Sequence, residues 1–292
     1  MTNLLMGFAH GYDIGDLEVF IKSLKAHGFS GEAVLFTNKI NTTKRKEIYQ
    51  TYSVTCIDSK DPVFKKTLKD QPIIDQLLPA IRRYLIYESY LNSGQEYGNV
   101  FISDTRDVLF QGNLDDYEVK DELHVFLERD NNSIVENSFN RNWILNGYGE
   151  EGLALIGNKT ISCSGFTFGS HKQMANYLKL MSDEIVKFHN TQPKIIGGID
   201  QGFHNYLVHT NKIDNCIIHP NKTFGVITCG RESNLKLKDG IILDDNECVQ
   251  TIVHQYDRNT DIYKELNPYR YNKEQEIKRK RESKSFWSRL FN

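Results

Sequence analysis

The chain has no apolar run approaching the roughly 18 residues that a membrane span requires, and its opening residues, MTNLLMGFAHGYD, hold neither a basic leader nor a long apolar stretch. Both absences lead us to expect a cytoplasmic protein. The five cysteines, Cys56, Cys163, Cys216, Cys229 and Cys248, are odd in number, widely spaced and without a CxxC pair. This argues against a disulfide framework or a zinc site and predicts reduced, mostly buried thiols. There is no Walker-type glycine loop, and outside the C-terminal tail the chain is net acidic with no recognised nucleic-acid module, so nucleic acid is not an expected partner. The remainder is ordinary for a globular protein: 292 residues, 39% hydrophobic and 25% charged, enough for one large α/β domain or two small ones.

The formal charge of −2 conceals an asymmetry. From Lys273 onward seven Lys or Arg face three Glu, a net of +4 that leaves −6 for the rest. The tail is therefore a separate electrostatic object, and we divide the chain into a domain of residues 1–270 and a tail of 271–292. The tail has no apolar stripe until Phe286/Leu290 and Trp287/Phe291, two i, i+4 pairs beside Lys284 and Arg289. The segment from Lys278 to Phe291 has the composition of an interfacial helix on an anionic membrane surface; docking on its own domain and disorder are the alternatives.

Residues 99–111, NVFISDTRDVLFQ, organise the rest. The run 100–102 suits a strand covered on both faces, and 108–110 resumes it after a charged insert. Burying Asp104, Arg106 and Asp107 without partners would cost several kcal/mol, so they belong at a strand exit opening onto a cleft. Residues three apart on a regular strand face opposite ways, so the aspartates converge only if the chain turns between them. Such hard oxygen ligands suit Mg²⁺ or Mn²⁺ with phosphate oxygens completing the shell. The other reading is that Arg106 simply pairs with one or both aspartates.

Around this stretch the pattern is strand, helix, strand, the unit of parallel sheets with helices packed on them. Residues 3–9, 33–36, 51–57, 123–127, 216–220, 224–228 and 240–243 read as strands; 17–24, 44–50, 81–91 and 174–188 read as helices, with Pro72 and Pro79 beginning or bracketing helical stretches. A polar region around Trp143 is unassigned. In 159–170, KTISCSGFTFGS, glycines and serines suggest backbone passing close to a ligand or a neighbouring strand. Arg82 and Arg83 lie upstream of the aspartates, where one can reach a phosphate or carboxylate, or both can be solvated. Asp200 and Gln201 stand at a glycine-flanked helix start, facing a cleft or as an ordinary N-cap. His254 closes the apolar run of TIVHQYD, as a core residue or a neutral imidazole ligand.

Taken in order, these motifs resemble the nucleotide-sugar glycosyltransferases of the GT-A fold, particularly the retaining family 8 type that includes glycogenin and bacterial lipooligosaccharide galactosyltransferases. The resemblance runs from about Leu4 to Asp257 as a series of short motifs. It implies an α/β, Rossmann-like, mainly parallel central sheet flanked by helices. It also implies that Phe8, Ala9 and Tyr12 of FAHGYD hold the nucleotide base, with Tyr12 stacking on it. Arg83 of RYLIYESYL matches the family's arginine ahead of the metal motif. Asp107-Val108-Leu109 matches the end of the D-x-D-V-L motif, with Asp104 one place further out than usual. Ser164 and Gly165 stand for the family's N-A-G signature near the sugar, Asp200 and Gln201 for its reactive-face pair, and His254 for its third metal ligand. The implied cofactors are Mn²⁺ or Mg²⁺ and a UDP-sugar or similar donor, with retention of anomeric configuration. The expected acceptor is a saccharide or lipid-linked glycan in surface-glycan synthesis, on the inner face of the plasma membrane. The rival classes are another metal-dependent phosphoryl or nucleotidyl enzyme and a non-catalytic saccharide- or membrane-binding module.

Overall fold

A computed structural model describes residues 1–58, 76–129, 132–191, 196–230 and 234–290, with side chains described as far as 281. Pro72 and the tail's last residues, 291 and 292, lie outside the described residues, as do the side chains of Phe286, Trp287 and Leu290.

Strand β1 (Leu4–Ala9) alternates its side chains between two apolar layers, as a strand covered on both faces must. Leu4 and Met6 enter a core shared with helix α3 (Pro79–Asn92), helix α5 (His171–Thr191) and helix α6 (Ile199–His209), whereas Leu5 and Ala9 enter a second core built with helix α1 (Ile14–Ala26) and helix α2 (Thr42–Tyr52). Alongside it run β2 (Glu32–Thr37), β3 (Val54–Asp58) and β4 (Asn99–Ser103), all parallel. The sheet then reverses: β7 (Ser162–Ser170) is antiparallel to both β4 and β6 (Leu123–Leu127), and β8 (Cys216–His219) is parallel to β6. The resulting seven-stranded order is β3-β2-β1-β4-β7-β6-β8. Its crossovers leave β1 in one direction and arrive at β4 on the other side, so the crevice beyond the carboxyl ends of β1 and β4 is a switch point, where α/β sheets hold their ligands.

A second, three-stranded sheet stands at that crevice. The chain leaves β4 at Ser103 and re-enters extended structure in β5 (Val108–Phe110), which belongs not to the large sheet but to one with β12 (Ile252–His254) and β9 (Val226–Thr228). Strands β10 (Lys236–Lys238) and β11 (Ile241–Leu243) form a separate hairpin. The region around Trp143 is helix α4 (Ser138–Ile156), kinked at Gly149, whose φ of 68° departs from helical values. Its Asn- and Gly-rich sequence masks the helical period. All five cysteines are free thiols, but Cys248 is exposed, because it sits in the turn after β11 rather than in a core.

Residue 270, the division drawn on charge, lies within a helix. Helix α7 (Thr260–Leu266) leads into helix α8 (Pro268–Leu290), which runs straight through it. Its first turns are tied to α1: Arg270 and Lys273 reach the buried Asp16 at 2.8 and 2.7 Å, Lys273 also meets Asp13, and the Arg270 guanidinium sits 5.1 Å from the centroid of the Tyr12 ring. Removing one partner of such a pair strands the others in a poorly hydrated place. Asp16→Ala is therefore expected to lower unfolding stability by about 3 kcal/mol, read as an earlier urea midpoint. Glu276→Gln, at an exposed pair with Lys280 on the same helix, should leave the midpoint where it is.

Candidate metal centre and cleft

The turn between β4 and β5 brings the aspartates together. Asp104 leaves the large sheet with its backbone N–H donating to Gly165 O at 2.7 Å, while Asp107 immediately precedes β5 of the small sheet, its carbonyl accepting from Gln255 N at 2.7 Å. In β12 the residue opposite Val108 is His254, so the last residue of that strand lies beside Asp107. One ligand atom each from Asp104, Asp107 and His254 fall within 4.8 Å of one another. The three residues anticipated as ligands thus form one cluster, assembled from segments about 150 residues apart in sequence.

The donor set fits a divalent cation. His254 is buried, its Nδ1 is 3.5 Å from Cys163 Sγ, and its Nε2 lies 3.4 Å from Asp104 Oδ2 yet makes no hydrogen bond. An imidazole nitrogen aimed at two carboxylates without a hydrogen bond is what a ligand position looks like, and carboxylate oxygens with one imidazole suit Mn²⁺ or Mg²⁺. Space for an ion depends on Gly165: a Cβ there would overlap the His254 imidazole and come 2.9 Å from Asp104 Oδ2. Of the two glycines in 159–170, Gly165 thus closely approaches His254 and Asp104, whereas Gly169 closely approaches Glu122 and Leu123, where the neighbouring strand β6 begins.

Arginines hold the carboxylates. Arg83, buried on α3, donates to Asp104, to Asp200 Oδ2 at 3.1 Å, to Ser164 O at 3.3 Å and to Tyr84 Oη at 3.2 Å. Arg106 bridges Asp107 and Asp257, at 3.2 and 3.1 Å. The pairing alternative for Arg106 is therefore real, but it coexists with the cluster. Burial works against the Asp104 carboxylate, yet Arg83 and His254 outweigh it and hold its pKa well below the usual carboxylate range. Asp200 moves the other way, raised by burial and by Asp104 despite Arg83. Burial also opposes a charge on His254, but Cys163, Asp104 and Asp107 outweigh it and keep its pKa well above the ordinary value.

These groups line a cavity of about 710 Å³ that also takes in Phe8, Tyr12, Ser164, Gly165, Asp200 and Gln201. Ala9 is not among its walls, because the strand period turns it into the α1 core. Asp200 is not an N-cap: that place belongs to Gly198, at φ 82°, and Asp200 lies in the first turn, paired with Arg83. Gln201 donates to Asn140 Oδ1 at 3.1 Å and to Glu128 Oε1 at 3.4 Å. Sequence reasoning missed His10, Glu128, Trp143, Asp257 and Arg258. Glu128 carried a usable signal, since it follows an apolar strand directly, as Asp104 does; Trp143 carried none.

No protein-family model matches the chain, and no curated protein matches its sequence.

Two outcomes are expected from calorimetry with Mn²⁺ alone. Gly165→Ala should weaken binding at least tenfold, the loss of about 1.4 kcal/mol that displacement of one ligand readily causes. Because an imidazole must be neutral to coordinate and the pKa of His254 is raised, affinity should rise with pH. Invariant affinity across pH would remove His254 from the ligand set.

Proposed function

We propose that this chain is a metal-dependent glycosyltransferase of the GT-A type, moving a sugar from a nucleotide-diphosphate donor, with a UDP-sugar the leading candidate, to a saccharide or glycolipid acceptor. The observation that carries the reading is the Asp104, Asp107 and His254 cluster at the carboxyl ends of β1 and β4, inside a cavity large enough for a nucleotide sugar. The largely parallel central sheet flanked by helices is the coarse architecture that the resemblance implies, and it supports the reading to that extent.

A bound Mn²⁺ or Mg²⁺ would neutralise charge on the donor's diphosphate. The chain's own groups do the rest. Tyr12 and Phe8, at the end of β1, offer ring faces to the base. Arg83 fixes Asp104 and Asp200, so that the ligand carboxylate and the carboxylate toward the sugar keep a set separation. Asp200 and Gln201 orient the sugar and shield its anomeric carbon, while the buried walls exclude water. The acceptor hydroxyl oxygen bonds to that carbon as the bond to the diphosphate breaks. The nucleoside diphosphate leaves with the electron pair, and the hydroxyl proton passes to a diphosphate oxygen. We infer retention of configuration from the same resemblance, checked by the anomeric proton coupling of the product. The basic α8 suits a peripheral position at the inner membrane surface, beside a lipid-linked acceptor.

Melting temperature tests the reading directly. A nucleotide at about one hundred times its Kd should stabilise the native protein by about 2.7 kcal/mol and raise the melting temperature by several degrees. The rise should require Mn²⁺ and disappear in Asp107→Ala. A panel of nucleoside diphosphates with no rise for any base would overturn the proposal.

A further inference from the structure

Tyr12 belongs to the short loop, residues 10–13, that joins β1 to α1. The inner side of this loop is cavity wall, with Phe8, His10 and Tyr12 all lining it. Its first half is fixed from β2: Asn38 Oδ1 accepts from Gly11 N–H at 2.6 Å, and Asn38 Nδ2 lies 3.1 Å from His10 Nε2. The His10 ring is also stacked on that of Phe8, 5.8 Å between centroids and 7° between planes. The second half, which carries Tyr12, is fixed from the far end of the chain.

Helix α8 covers that second half. Tyr269 Oη donates to Asp13 Oδ2 at 3.0 Å, and its ring packs where a Cβ on Gly15 would stand. The Arg270 guanidinium lies 5.1 Å from the centroid of the Tyr12 ring. Tyr12 lines the cavity and Arg270 does not, so the guanidinium covers the ring from outside. It is itself held, by Asp16 Oδ1 at 2.8 Å and Glu274 Oε1 at 3.0 Å, while the Arg270 backbone N–H donates to Asn267 Oδ1 at 3.0 Å. Its charge is thus already matched by carboxylates, and what it offers Tyr12 is a flat, fixed face. Asp16 also closes the capping box of α1 with Asp13, so one carboxylate ties the helix start, the loop and α8 together.

We propose that Arg270 is a positioning residue of the nucleotide subsite: it backs the Tyr12 ring from outside the cavity, so that the ring is set in advance to stack on the base. The first turn of α8 thereby helps to determine nucleotide affinity without touching the nucleotide. The gain comes from ordering the ring before binding rather than from a new contact. This rests on reading the cavity as a nucleotide-sugar site.

The test titrates the full chain in Mg²⁺ with UDP, ADP, GDP and CDP and with inorganic pyrophosphate, which carries the diphosphate chemistry but no base. The wild-type chain should bind at least one nucleotide more tightly than pyrophosphate. Arg270→Ala should weaken that nucleotide roughly three- to tenfold, the cost of ordering one freed side chain, and leave pyrophosphate affinity unchanged. In a Tyr12→Ala background the same substitution should have no further effect, because the two residues act through one ring. If Arg270→Ala does not fold, Arg270→Lys, which keeps a cation beside Asp16 but not the plane, is read by the same titrations and should show the same selective loss. Equal losses for nucleotide and pyrophosphate, no loss for either, or additive losses with Tyr12→Ala would overturn the proposal and leave the transferase reading standing. A wild-type chain that binds no nucleotide more tightly than pyrophosphate would remove the base subsite itself, and both would fall together.

Discussion

Four carboxylates, those of Asp104, Asp107, Asp200 and Asp257, converge at one edge of the sheet, and their repulsion in a poorly hydrated place is the constraint that the neighbouring structure answers. Two guanidinium groups each bridge a pair of them, Arg83 from a helix under the sheet and Arg106 from the turn itself. That leaves negative charge uncompensated. Burial opposes a charge on His254, but Cys163, Asp104 and Asp107 raise its pKa and so favour a compensating positive charge there. A divalent cation held by Asp104, Asp107 and a neutral His254 would bring the four carboxylates and two guanidinium groups close to neutrality.

The backbone makes this arrangement possible by changing sheets within four residues. Ser103 is the last residue of a strand paired with β1 and β7, whereas Val108 is the first of a strand paired with β12. The turn between them is anchored at both ends by main-chain hydrogen bonds, to Gly165 and to Gln255. Side chains on one regular strand could not have met. The large sheet provides the floor and Gly165, the small sheet provides His254, and α3 inserts Arg83 from the side. The C-terminal helix extends the same logic outward: Arg270 covers Tyr12 and shares Asp16 with Lys273, so the loop at the cavity mouth is held by a segment more than 250 residues further along the chain.

Much of this was legible in the sequence, and the reasons are local. Apolar runs such as LLMGFA, EAVLFT and LHVFL report strands because each buries both faces, and the strand at 123–127 has the expected bounds. The charged insert after Ile102 reported a strand exit because burial of three charges has no other cheap solution. His254 was visible as a polar group closing an apolar run. What was hidden depends on pairing across distance. Nothing in the order of residues says that β5 leaves the main sheet, that Ala9 faces the α1 core while Phe8 faces the cavity, or that Asp257 shares Arg106 with Asp107. Helix α4 was masked by Asn and Gly, and with it the Phe139 and Trp143 rings. The tail's net charge was legible, but the anchoring of its first turn was not, because Asp16 looked like any helix-starting acid.

Pulsed EPR of Mn²⁺ bound to the full chain in the presence of UDP addresses the central claim most directly, since it reports which nuclei touch the ion. The account predicts a ¹⁴N coupling from the His254 imidazole together with ³¹P couplings from the diphosphate, the ¹⁴N signal vanishing in His254→Ala. A Mn²⁺ spectrum with ³¹P coupling but no imidazole nitrogen, or one indistinguishable from the ion in buffer, would contradict it.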